Sequence, residues 1–204
     1  MKRLALTAAL CGALIFLVLA CGQKPADIIM AYQEAVNAGN IDKVMSLYAD
    51  QARFRVPGLV DLQGVEALRG LAQYHHELHT TLEFSQMEAR GDTVFVEAKE
   101  TNDWIETADI GEFYYQAVIV VRRGRIESIE AAFTPETDQA FRRVIAPLME
   151  WARAERTDQL AELMPQGEFL YNAENARKYL SLLREYKQNV HRQAIRPNWK
   201  KLGE

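Results

Sequence analysis

The chain has 204 residues, with 24 Lys plus Arg against 28 Asp plus Glu, 49% hydrophobic residues and two cysteines. That length is ample for one self-sufficient core with an extension, and two cysteines cannot build a disulfide-rich scaffold. A formal charge of -4 and an isoelectric point near 5.7 lack the basic face of a general nucleic-acid binder, so no nucleic-acid partner is expected.

Lys2 and Arg3 precede residues 4–20, an uncharged apolar run that stops at Cys21. A basic start, an apolar core and a small-residue cut site form the pattern of an export signal. A run of this length also sits at the low edge of what spans a bilayer. The junction Val18-Leu19-Ala20-Cys21-Gly22 separates the two readings, because it resembles the lipobox of bacterial lipoproteins. That resemblance implies that residues 1–20 are a signal peptide cut before Cys21. It also implies that the Cys21 thiol carries diacylglycerol and that its new amine is acylated, with palmitate among the chains. Two or three acyl chains hold a protein stably to a membrane where one alone does not. Gly22 in place of an acidic residue resembles the sorting context for the outer membrane. The expected location is the bacterial cell envelope, the outer membrane rather than the inner where the envelope is Gram-negative, and the expected partner is the lipid bilayer. Cys11 leaves with residues 1–20, so the exported part keeps no thiol for a disulfide, a nucleophile or a thiolate metal site.

Residues 21–26 read as a short lipidated tether. Ile28, Ile29, Tyr32, Ala35 and Val36 then share one face at helical spacing, and Asn37-Ala38-Gly39-Asn40 ends that helix. A second short helix is expected over 41–48, an alternating strand over 52–56, a turn at Pro57-Gly58 and a return over 60–62. Gly64 opens a third helix with Val65, Leu68, Leu71 and His75 on one stripe. From Thr81 the period changes to two, and strands are expected over 82–90, 93–102, 112–122 and 125–133. Thr134-Pro135-Glu136 then reads as a helix start, with a hydroxyl cap, proline in the first turn and an early acid. Phe141, Ile145, Leu148, Met149 and Ala152 share a face of that helix. Thr157-Asp158 begins another, and Asn172 caps a third carrying Ala176, Tyr179, Leu180 and Leu183. Residues 190–204 are basic and polar, and a loosely held tail is expected there.

Helices followed by a run of antiparallel strands predict an α+β fold in which a curved sheet packs on helices. Tyr32, Asn37-Ala38-Gly39-Asn40, Leu47-Tyr48-Ala49-Asp50, Gly64 before a helix and Gly124-Arg125-Ile126 before the last strand resemble, in order and spacing, the nuclear transport factor 2-like, or SnoaL-like, superfamily. The resemblance implies a cone of three helices against a strongly bent mixed sheet, with a pocket inside. The expected division is a SnoaL-like domain over 27–134, a helical extension over 135–189 and a polar tail over 190–204.

The superfamily hosts isomerases, cyclases, epoxide hydrolases, dehydratases and plain binding modules, so function must be argued from residues. Its ketosteroid isomerases use a tyrosine donor on the first helix, an aspartate base after the first strand and a protonated aspartate beside the tyrosine. Carried onto this chain, those positions read Tyr32, Val56 and Gln116, and Val56 cannot move a proton. The acid that cyclases and epoxide hydrolases of the family place on the last strand falls at Ala131. Glu130 is its neighbour, and one residue in a strand turns the side chain to the other face.

Alternation places Val94, Val96, Ala98, Glu100 and Asn102 on one inward face, with Tyr114, Gln116, Val118 and Val120 expected inward on the next strand. Tyr32, Glu100, Asn102, Tyr114 and Gln116 would then be a few polar groups in an apolar cavity with Trp104 near its mouth, which suits a small, mostly apolar ligand. Glu100 is the one acid–base candidate among them, with Tyr32 as its partner, because burial raises a carboxyl pKa. The competing reading of Glu100 is a solvated strand end. His75 and His79, four apart on a helix, are the candidate metal pair, but no third ligand stands at a recognised spacing. No cofactor is implied. Three functional readings follow: a non-catalytic binder of a small apolar ligand, with homodimerisation through the sheet; an isomerase, hydratase or cyclase-like enzyme using Glu100 and Tyr32; and an envelope-complex protein docking through residues 135–189. Whether the chain is an enzyme stays open at this point.

Overall fold

A computed structural model describes residues 24–195. The expected signal segment, Cys21 and the first part of the expected tether lie outside the described residues, as do residues 196–204. Among the described residues, no helix is long and apolar enough to cross a membrane.

Two helices open the fold, α1 (Pro25–Asn37) and α2 (Ile41–Leu47). Pro25 sits in the first turn of α1, where its missing N–H costs nothing. The Asn40 side chain accepts from the Lys43 N–H at 2.9 Å to cap α2. Tyr48, read from sequence as the end of that helix, is instead the first residue of β1 (Tyr48–Val56), which returns through β2 (Val60–Gln63). α3 (Val65–Glu77) buries Leu68, Leu71 and Ala72, while Val65 faces solvent. Then come β3 (Thr81–Arg90), β4 (Thr93–Thr101), a short α4 (Asp103–Thr107), β5 (Phe113–Arg122) and β6 (Arg125–Phe133). The strands form one mixed sheet in the order β2-β1-β6-β5-β4-β3. The β1–β6 pair is parallel and every other pair antiparallel.

Curvature comes from interrupted registers, one between Ser85 and Glu88, one between Val120 and Val121 and one between Tyr48 and Arg53. An extra residue on one strand bends it and increases the local twist. The first bulge contains Gln86 with φ of 49°, a left-handed conformation for a non-glycine residue. The edge strand β3 is covered by α1. Asn37 accepts from the Leu82 N–H at 2.7 Å and donates to its carbonyl at 2.9 Å, and Gln33 accepts from the Phe84 N–H at 2.5 Å. An edge that would otherwise invite another strand is thereby closed by side chains. Ile28, Ile29, Tyr32, Leu68, Val94, Ile119 and Ile126 are buried in the first core, between these helices and the concave sheet face.

The C-terminal block consists of α5 (Pro135–Glu155), α6 (Thr157–Leu163), one 3-10 turn (Pro165–Gly167) and α7 (Ala173–Ile195). The expected caps are present: Thr134 accepts from the Thr137 N–H at 3.3 Å and Asn172 from the Asn175 N–H at 2.8 Å. The expected tail boundary at 190 is too early. α7 continues to Ile195 because no glycine or proline interrupts the sequence before Pro197.

The extension does not stand apart. Leu148, Ala152, Leu163, Ala176, Leu182 and Leu183 bury themselves against Leu78, Trp104, Ile105 and Phe113 from the rim of the sheet domain, forming a second core. Polar ties frame it. Arg177 meets Glu77 at 2.7 Å, Lys187 donates to the Thr107 carbonyl at 2.7 Å and pairs with Asp109, and the Tyr114 N–H donates to Thr137 at 3.0 Å. At Gly70 in α3 a Cβ would collide with the carbonyl oxygen of Tyr171. Only a residue without a side chain lets the segment before α7 lie this close.

Candidate functional site

Between the two cores lies a cavity of about 310 Å³. Its floor is the sheet domain: Val56 and Phe54 from β1, Ala98 and Glu100 from β4, Tyr115, Ala117 and Ile119 from β5, Ile129, Ala131 and Phe133 from β6. α1 and α3 add Tyr32, Leu71, Tyr74 and His75. Its roof is the extension, with Phe141, Ile145 and Met149 from α5, Leu160 and Leu163 from α6, and Phe169, Tyr171 and Tyr179 from the approach to α7 and from α7 itself. Among the described residues, Glu100 is its one carboxylate, and no lysine or arginine lines it.

Glu100 sits near the end of β4, held by two donors. The Tyr115 hydroxyl donates to Oε2 at 2.8 Å and the Asn102 amide donates to Oε1 at 2.8 Å. Asn102 is fixed at its other end, since its Oδ1 accepts from the Ile105 N–H at 2.9 Å and caps α4. Glu100 is half-buried and lines the cavity. Desolvation pushes its carboxyl up from the ordinary range, against the opposing pull of the Tyr115 and Asn102 hydrogen bonds. Against the solvated-strand-end reading, Glu100 lines the cavity and accepts from Tyr115 and Asn102.

Tyr32 lies in the same cavity but is not the hydrogen-bond partner of Glu100. It accepts from the Tyr48 hydroxyl at 3.1 Å and stacks on Phe84 with ring centroids 6.4 Å apart. Burial raises its pKa to about 12. The hydroxyl that donates to Glu100 is that of Tyr115, a residue expected on the outer face, and the physical reason is the facing of β5. Tyr114 is 46% exposed and Gln116 points to the same outer side, whereas Phe113, Tyr115, Ala117 and Ile119 face inward. The strand is apolar on both faces, so its alternation carries no inward mark. Phe113 pairs in register with Glu100 and Tyr115 with Ala98, which brings the Tyr115 hydroxyl diagonally to the carboxyl.

Trp104 is not at a mouth. It is 4% exposed, stacked on Tyr179 at 5.2 Å in the wall shared with α7, and its indole N–H has no hydrogen-bond partner among the described residues. His75 and His79 are split. His75 lines the cavity, where burial lowers its pKa to about 4 and keeps the ring neutral. His79 lies beyond the end of α3 with φ of 52°, and its exposed ring meets Asp103 at 2.9 Å, which raises its pKa. No group of three metal-ligating side chains occurs among the described residues. Glu130 points outward to Arg55 at 3.8 Å, and Ala131 faces the cavity as the alternation required.

Sequence reasoning missed Tyr74, Tyr115, Tyr171 and Tyr179. Tyr74 adjoins the recognised stripe residue His75, and Tyr179 was assigned to an apolar helix face without a destination. Tyr171 stands just before the Asn172 cap, and nothing local marks it as reaching a strand end in the other region.

This architecture, helices packed in the bend of a mixed sheet around a pocket, is matched by sequence as well. Residues 29–129 fit the family model of the SnoaL-like domain, and that stretch of the chain is a SnoaL-like domain. Solved structures similar to it include an NTF2-like protein of unknown function from Cytophaga hutchinsonii, 14% identical over 55% of this chain and 91% of that one, with a TM-score of 0.46. Another is the epoxide hydrolase/cyclase-like enzyme SalBIII of pyran ring formation in polyether salinomycin, 21% identical over 56% and 94%, with a TM-score of 0.47. A third is an LEH-like epoxide hydrolase of M. tuberculosis, 15% identical over 60% and 96%, with a TM-score of 0.44. No curated protein matches the chain.

Proposed function

We propose that this is an exported, lipid-anchored protein that holds a small, mostly apolar ligand in the cavity without turning it over. The observation that carries the binding reading is the cavity itself, about 310 Å³ of space walled by aromatic and aliphatic side chains around Glu100, its one carboxyl among the described residues. Pockets of that size and composition, with a few convergent polar groups, are what small-molecule sites look like. The positions where acids act in the family's isomerases and cyclases read Val56, Gln116 and Ala131, two of them apolar cavity wall and the third on the outer sheet face. Export and anchoring rest on the lipobox-like junction at Cys21. Cys21→Ser is expected to move the protein from the membrane to the soluble fraction and to abolish palmitate labelling; continued membrane retention would count against the anchor.

Native mass spectrometry of the exported full chain tests the binding reading. A co-purified small molecule, lost on denaturation, is expected. A protein that carries nothing and takes up no apolar probe would defeat it.

One observation favours a second reading, acid–base catalysis by Glu100. A carboxyl whose pKa is raised by burial and which is held by Tyr115 is suited to proton transfer. Glu100→Gln separates the two, since turnover of a retained ligand would stop while binding of an apolar body would persist. Docking of an envelope partner through 135–189 has less support, because the apolar faces of those helices are spent on the second core. Homodimerisation would use the outer sheet face, where Phe95, Tyr114 and Val118 are exposed.

A further inference from the structure

The wall around Glu100 restricts the chemistry of the ligand's polar end. A carboxylate offers roughly four acceptor positions, and two are taken by Tyr115 and Asn102. What remains is acceptor capacity, to be met by a ligand that donates. The charge balance points the same way. Among the described residues no lysine or arginine lines the cavity, and its histidine, His75, is held neutral by burial, so none of them would neutralise an anion.

The rings add a second requirement. Tyr74 and Tyr171 lie close enough to Glu100 to feel its charge, and they meet edge to face with centroids 5.2 Å apart. Phe169 stands 5.8 Å from Tyr74, and Tyr179 continues the cluster at 5.2 Å from Phe169. Aromatic rings around a buried carboxylate attract an organic cation through their quadrupoles, and by more when water is excluded.

We infer that the cavity takes an apolar organic amine in its protonated form, with the ammonium group on the Glu100 carboxylate among Tyr74, Tyr115 and Tyr171, an inference that rests on the ligand-binding reading above. An ammonium group on Glu100 favours the ionised carboxyl against the desolvation that raises its pKa. Tyr171 belongs to the extension, so the amine end is read partly by a segment that the SnoaL-like match does not include.

The test uses three probes with one skeleton, 1-naphthylmethylamine, 1-naphthalenemethanol and 1-naphthoic acid, titrated calorimetrically at pH 7.5 into the full chain in detergent. The expected order is amine, then alcohol, then acid, with the amine bound about tenfold more tightly than the alcohol, because charge-assisted hydrogen bonds are about twice as strong as neutral ones. Glu100→Gln, titrated in the same detergent so that partition into micelles cancels, is expected to bring amine and alcohol within about threefold. An alcohol bound as tightly as the amine by the unaltered protein overturns the amine inference and leaves the binding reading standing. So does an amine preference that survives in Glu100→Gln. Failure of all three probes to bind the folded protein overturns both.

Discussion

The two cores of this molecule are built differently. In the first, α1, α3 and the concave sheet face bury one another's side chains, and every strand is tied to its neighbours by backbone hydrogen bonds. In the second, α5, α6 and α7 have no sheet of their own. They bury Leu148, Leu163 and Leu183 on Trp104, Ile105 and Phe113, which belong to the rim of the first region. One region can satisfy its apolar residues largely by itself, and the other does so only by docking. The cavity lies along that seam, so the site is a joint product: a carboxyl from β4 beneath rings from the extension.

Perturbing the second core should produce the largest effect. Leu183 is fully buried there, and Leu183→Ala should cost about 2–5 kcal/mol, with hydrogen exchange accelerating in α7 before α1. Equal acceleration in both would mean that the two regions open as one unit. Acid comes next. His75 titrates at about 4 when folded and 6.5 when unfolded, so between those values the unfolded chain binds the extra proton. Its contribution is fully present above pH 6.5 and is lost as pH falls toward 4, by roughly 3 kcal/mol. Equilibrium unfolding of His75→Phe should lose that part of the pH dependence.

Glu100 acts with the opposite sign. Its folded pKa is raised, so its contribution is present below the unfolded pKa and is lost as pH rises through the folded one. The stability of Glu100→Gln relative to the unaltered protein should therefore improve as pH rises; a constant difference would contradict the raised pKa. Gly70→Ala probes the seam directly. Its Cβ would meet the Tyr171 carbonyl, and overpacking of that kind costs about 1–3 kcal/mol, felt in ligand affinity and α7 protection. The smallest effect belongs to Arg177→Ala. Its partner Glu77 is 2.7 Å away, but the arginine side chain is 59% exposed, so the change should stay under about 1 kcal/mol in thermal unfolding.

The same contrast explains what the sequence made legible. Elements whose signals are local were readable: the capped starts at Thr134 and Asn172, the Gly124 turn before β6, and the inward set Val94, Val96 and Ala98 on β4. α4 was missed because it is only five residues long, although Asn102 three residues before Ile105 is a capping signature. The inward face of β5 was inverted, since Val118 and Val120 outside are as apolar as Ala117 and Ile119 inside. Glu100, Asn102, Tyr32 and Trp104 line one cavity, but their hydrogen-bond and ring partners were not legible. Tyr115 depends on the register between strands, and Tyr171 reaches the site only because α7 packs against α3. Contacts of that range leave no periodic trace.

The central claim is a ligand held beneath the extension. The most direct test is hydrogen exchange of the full chain with and without saturating 1-naphthalenemethanol, the neutral probe. Protection is predicted to rise in β4 around Glu100, in α3 around Tyr74 and in residues 168–182, with the outer sheet face unchanged. Binding that leaves those segments as they were, or that protects only the outer face around Tyr114 and Val118, would contradict it.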